Sequence, residues 1–226
     1  MQTKRYLLIL VSLGLCAPAA AAPITIPTSL DPGDEYRLAF VTSPKRNGAS
    51  SLIASYNAFV TDVANTQAAL ASLGTTWKAI GSTATVDARD NTGTNPVVDG
   101  VGVPIFLLND TLLADDNSDL WDGDILVPFA IDEAGAVSPL SFVWTGTTSS
   151  GVAHPFPLGS EEPVIGTTGM TNSNWVDGAK LFSFLERPVY AVSDVLIVVP
   201  EPGTGLLVMT GLLGLAYRQW RQRREA

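Results

Sequence analysis

The chain of 226 residues has a single cysteine, Cys16, and a single histidine, His154. Cys16 falls inside a stretch that reads as a cleaved leader, so the mature body has neither disulfides nor thiol chemistry. One histidine excludes multi-histidine metal sites. The sequence also holds no Gly-x-Ser-x-Gly, no His-Glu-x-x-His and no Cys-x-x-Cys that would supply a nucleophile or a zinc ligand set. Positive charge is scarce. Between Pro23 and Val199 stand 7 Lys and Arg against 20 Asp and Glu, a net charge of −13 where the whole chain carries −9. Such a surface repels phosphate backbones and anionic lipid, which excludes nucleic acid as a partner. Long apolar runs are missing as well: Gly203 to Ala216 is 14 residues, against roughly 20 for a full membrane span.

What is present is clearest at the two ends. Lys4 and Arg5 form a basic start, Tyr6 to Leu15 is an apolar stretch, and Ala19 to Ala22 offer an A-x-A cleavage pattern. Pro23 is a poor residue just after a cut, which places cleavage by signal peptidase near Ala21. A lipoprotein signal at Cys16 would need a small residue where Leu15 stands. At the other end Val199-Pro200-Glu201-Pro202 precedes the apolar run, and Arg218, Arg221, Arg223 and Arg224 close the chain. An extended proline spacer, a marginal membrane helix and a cytoplasmic positive stop follow in that order. Snorkelling arginines and Trp220 would hold the short helix at the interface. The segment resembles the PEP-CTERM sorting signal of Gram-negative bacteria. The resemblance implies recognition by an exosortase, transient anchoring in the inner membrane and delivery to the cell surface or extracellular matrix.

Three segments follow: a signal peptide over 1–21, one domain over 22–198 and the sorting signal over 199–226. In the body, Tyr36 to Val41 reads as a strand, and Ser50 to Ala64 reads as a helix burying Leu52, Tyr56, Phe59 and Val60, with Asn57, Thr61 and Asp62 on its other face. Gln67 to Leu73 extends that helix or forms a second one ended by Gly74. Short apolar runs at 76–80, 104–108, 141–144 and 189–192 read as strands between long polar loops. Helices first, then short strands, make the class α+β.

The ordered landmarks Tyr56-Asn57, Thr76-Trp77-Lys78-Ala79, Asp87 to Asp90, Val103-Pro104-Ile105, Ala114 to Gly123, Ile131 to Gly135, Val143-Trp144, Gly166 to Gly169, Trp175 and Pro188 to Ala191 carry a second resemblance. It covers about 160 residues. The body is similar to an exported bacterial domain of unknown function with a C-type-lectin-like, endostatin-like fold. That resemblance implies one or two N-terminal helices, a small mixed or antiparallel sheet and long loops. The chain departs from it at paired cysteines, which many relatives carry near the Val-Trp strand and the last strand. Glu162-Pro163-Val164 and Asn174-Trp175-Val176-Asp177 echo the calcium and sugar ligands of such lectins only faintly, because Val164 and Val176 cannot ligate. The heparin-binding arginine face and histidine zinc site of endostatin have no counterpart here.

Candidate chemistry concentrates in the acidic loop. Asp115, Asn117, Asp119, Asp122 and Asp124, joined by Asp116, are hard oxygen donors close enough to surround calcium. The spacing is not an EF-hand, because Leu120 and Leu126 stand at the turn-glycine and bidentate-glutamate positions. The competing reading is a solvated turn whose side chains bond their own backbone. Trp121 and Trp175 lie in polar loop sequence and are candidate sugar-stacking platforms if exposed, although burial is the commoner state for an indole. Asp87, Arg89 and Asp90 read as a structural ion-pair cluster, and His154 as an isolated exposed histidine.

The sequence thus predicts a non-enzymatic exported protein with no resident cofactor unless calcium binds, and the tail's resemblance implies a role in a polysaccharide-rich matrix. Two alternatives stand beside it: a calcium-dependent carbohydrate- or protein-binding module, and a carboxylate-based polysaccharide hydrolase, for which acids are plentiful.

Overall fold

A computed structural model describes residues 22–199. The signal peptide and the segment 200–226, which holds most of the sorting signal and its apolar run, lie outside the described residues. Among the described residues no helix is long and apolar enough to cross a membrane.

The sheet is built around β1 (Glu35–Val41), whose residues after Glu35 are all buried. The sequence shows this strand as an alternation, yet it is covered on both faces, because it has neighbours on either side and layers above and below. Its partners are β4 (Ile105–Leu107), the one parallel neighbour, and β9 (Tyr190–Ser193), antiparallel. Beyond them lie β3 (Trp77–Ala79) and β5 (Leu112–Ala114), giving the order β3-β9-β1-β4-β5. β10 (Leu196–Ile197) pairs with the start of β1. Two small ribbons complete the β structure: β2 (Arg46–Asn47) with β8 (Glu186–Arg187), and β6 (Phe142–Trp144) with β7 (Ile165–Thr167). The class is α+β with a small mixed sheet, as the texture of the sequence suggests.

Helix α1 (Ile53–Asn65) is followed by the single turn α2 (Ala68–Ala71) and later by the short α3 (Ala88–Thr92) and α4 (Asn117–Leu120). α1 packs beside β3 and buries Tyr56, Val60, Val63 and Ala64. The expected face is therefore corrected in two places. Leu52 precedes the first helical residue and is exposed, and Phe59 is only half-buried, with the Arg46 guanidinium over its ring at 5.5 Å. Asn57 and Thr61, expected to face solvent, lie on the free edge of β3. Asn57 and Asn91 exchange amide hydrogen bonds. Asn57 Oδ1 accepts from Ala79 N at 2.9 Å, and Asn91 Nδ2 donates to Ala79 O at 2.8 Å. Thr61 donates to Trp77 O. Side chains thus occupy an edge that would otherwise be open to pairing with another strand.

Opposed strand residues share a face, so Leu38, Phe40, Ala79 and Ala191 line one side and Ala39, Val41, Tyr190 and Val192 the other. Phe40 meets Trp77 edge-on at 5.0 Å on the first side. On the second, Tyr190 stacks on Phe129 at 4.2 Å, and Trp175 joins them. Trp144 is buried as expected, but in the β6–β7 ribbon rather than in the main sheet that α1 packs against.

Arg37 is buried within this sheet. Its guanidinium donates to the carbonyls of Thr92, Gly93 and Ser193, tying α3 and the end of β9 to β1. Burial lowers its pKa from the ordinary arginine value.

The two ends of β1 face different things. At its start, Gly33 N donates to Val198 O and Val198 N to Asp34 O, so the chain leaves for the sorting signal beside Asp34. At its finish, Val41 N bonds Ile131 O and Thr42 N bonds Val189 O. Seven extended residues separate these ends by roughly 20 Å.

Candidate functional site

In the acidic loop three carboxylates, those of Asp116, Asp119 and Asp122, accept from the backbone. Asp116 caps α4, accepting from Ser118 N and Asp119 N. Asp119 Oδ2 accepts from Asp115 N at 2.8 Å, and Asp122 Oδ1 from Asp124 N at 3.1 Å. Asn117 turns inward. It is buried, receives Gly102 so closely that a Cβ there would overlap its amide, and donates to Gly100 O. Among the described residues no group of three or more His, Cys, Asp or Glu is placed to hold a metal ion. The carboxylate hydrogen bonds are local turn chemistry, whereas that of Asn117 ties the loop to the distant Gly100.

Both tryptophans take the buried alternative, not the stacking one. Trp121 is 6% exposed and Trp175 fully buried, with ring centroids 5.9 Å apart, so neither presents a ring face on which a sugar could stack. Trp121 Nε1 donates to the buried Thr94 hydroxyl, and Gly151 lies against its ring. Polar loop sequence around an indole does not expose it when the loops themselves form a layer over the sheet. Asp87 and Asp90 are also committed, to Ala153 N and to the Asn95 amide. Arg89 forms no ion pair among the described residues, contrary to the expected cluster. His154 is not isolated. Its Nδ1 accepts from Phe156 N, and its Nε2 stands 3.9 Å from Asp177 Oδ1.

The concave surface lies elsewhere, at the finish of β1. One cavity of about 290 Å³ is lined by Thr42, Ser43, Lys45, Asp132, Ser138 and Pro139, among others. A second of about 280 Å³ is lined by Phe142, Thr167 and Arg187. Leu140 and Ser141 line both, so the two form one groove with exposed Leu140 as a ridge. Ser43 fixes one wall, its N–H donating to Glu133 Oε2 at 2.8 Å. Asp132 is held by its own turn, Oδ1 accepting from Ala134 N and Ala136 N. Asp132 is the only carboxylate among the lining residues of these two cavities, so neither has the convergent pair a two-carboxylate hydrolase uses.

Sequence reading missed this groove. Its residues come from five separated stretches, and neither Lys45, beside Arg46, nor Arg187 carries a local pattern that marks a site. The available signal was their rarity in an acidic chain.

Residues 198–224 match the PEP-CTERM protein-sorting motif. The chain carries an exosortase sorting signal. The match covers the Pro200-Glu201-Pro202 signature, the apolar run and the arginines at 218, 221, 223 and 224. It indicates an exported surface protein, anchored at its C-terminus before exosortase processing. No curated protein matches the chain.

Proposed function

We propose that residues 22–198 form a non-enzymatic, C-type-lectin-like module that works in a polysaccharide-rich extracellular matrix, to which the sorting signal delivers it. The observation that carries the reading is the PEP-CTERM motif, which follows directly on the last strand of the body. Two features of the body support it. A surface of −13 keeps such a module soluble and away from anionic lipid once it is released. Asp132 is the one carboxylate lining the groove, which supports a contact surface over a two-carboxylate hydrolase. Signal peptidase and exosortase are the processing partners, and matrix polysaccharide is the lasting one.

The test is retention. Full-length protein expressed in an exosortase-positive host should reach the surface and co-sediment with isolated extracellular matrix. Removing 199–226 should abolish surface delivery. Full recovery of the intact protein in a soluble fraction that never meets the matrix would overturn the reading.

A further inference from the structure

The two-lobed groove beside Leu140 is lined by two of the body's seven cations, Lys45 and Arg187. Of the seven cations, Lys78 and Lys180 pair with Asp194 and Glu162. Arg37 is buried against three carbonyls. Arg46 lies 3.8 Å above the Tyr56 ring and donates to Ser55. Lys45, Arg89 and Arg187 remain, none of them in an ion pair among the described residues. Of these three, Lys45 and Arg187 each line one lobe of the groove, and Arg187 Nη1 donates to the Glu186 carbonyl.

Around these two cations the chemistry is that of a carbohydrate site. Hydroxyls of Ser43, Ser138, Ser141 and Thr167 line the groove, and Phe142 offers a half-exposed ring near Arg187. Small hydroxyls and an aromatic edge suit sugar rings, while a guanidinium and an ammonium suit a carboxylate. Asp132 contributes one negative charge, but its Oδ1 is occupied by two backbone N–H groups and its Oδ2 faces the Ser43 hydroxyl. The groove also has an orientation. It lies at the finish of β1, while the chain departs for the sorting signal from the start of that strand.

We propose that the groove binds an acidic polysaccharide through its uronate carboxylates, with Arg187 in one lobe and Lys45 in the other. The proposal rests on the matrix reading and names the ligand class within it. An unpaired pair of cations in a body of −13 has no structural need of the acidic residues elsewhere, and an anionic polymer reaching it is repelled by the rest of the surface. That combination favours a short, localised contact whose affinity falls with salt.

The experiment uses full-length protein in detergent micelles. Binding is measured by calorimetry to oligogalacturonate, to its carboxyl-reduced neutral form and to polyglutamate. Oligogalacturonate should bind at low salt, with affinity falling as salt rises and with the neutral form and polyglutamate at least about tenfold weaker. Arg187→Gln should weaken binding on the order of tenfold, the loss of one charge-assisted hydrogen bond, and Lys45→Gln should add to it, with unchanged melting curves. Equal binding of polyglutamate would show charge attraction alone and overturn the proposal. So would equal binding by the Lys45→Gln/Arg187→Gln protein, or no oligogalacturonate binding. Matrix co-sedimentation of that double variant separates the two ideas. If it is retained like the parent, the groove assignment fails and the matrix reading stands. If the parent itself is not retained, the matrix reading fails whatever the oligosaccharide does.

Discussion

Tyr36, Tyr56 and Tyr190 are the tyrosines of the body, and all three are buried. Burial raises each phenol pKa, that of Tyr56 to about 12 even though Arg46 and the Ser50 carbonyl oppose the shift. The fold therefore favours the protonated phenols. That contribution to stability is complete below the unfolded value of about 10 and is lost as pH rises from there through the folded values. The melting temperature should hold across neutral pH and then fall steeply above about pH 10. Tyr56→Phe should blunt the fall, and a melting temperature constant to pH 12 would contradict this reading. Gly166 is equally constrained, for a different reason: a Cβ there would lie 1.8 Å from Trp175 O. The missing side chain lets the turn at Ser173–Trp175 close onto β7 and drives Trp175 into the core. Gly166→Ala should cost about 3 kcal/mol or more, read by denaturant unfolding.

At the scale of elements, α1 shows what periodicity reveals and what it hides. The apolar positions Tyr56, Val60 and Val63 are visible in the sequence because burial follows the helical repeat. The polar positions Asn57 and Thr61 look solvated there, since nothing local says that an edge strand ends beside them. Asn57→Ala would strip Ala79 N–H of its acceptor and remove both hydrogen bonds to Asn91, costing about 1–3 kcal/mol. Asp62→Ala, on the exposed side, should stay within about 0.5 kcal/mol. Equal losses at the two positions, measured by chemical denaturation, would refute the edge-capping role. Most strands are legible as short apolar runs, although none of their pairings is. The parallel partnership of β1 with β4 and the union of β1 with β9 join residues far apart in the chain. Ribbons as short as β2 and β8 leave no apolar signature at all.

For the whole molecule, the address is legible and the surface is not. The sorting signal is a local sequence of residue types, whereas the groove forms only when Lys45, Asp132, Ser141 and Arg187 are brought together by folding. The acidic loop misleads in the opposite direction. Its residues are crowded in sequence, yet Asp116, Asp119 and Asp122 each bond backbone N–H groups of their own turn. Melting curves in millimolar calcium and in excess chelator should therefore coincide. A site filled at 100 times its dissociation constant would instead add about 2.7 kcal/mol, a shift of several degrees that would restore a calcium role for Asp115, Asn117, Asp119, Asp122 and Asp124.

The account rests most on delivery by the C-terminal signal, and that has a direct readout. The protein is recovered from the surface fraction of an exosortase-positive host and its C-terminus is determined by mass spectrometry. Processing predicts a terminus upstream of Leu206, with the apolar run and its arginines gone. A surface form still ending in intact Arg223 and Arg224 would contradict it.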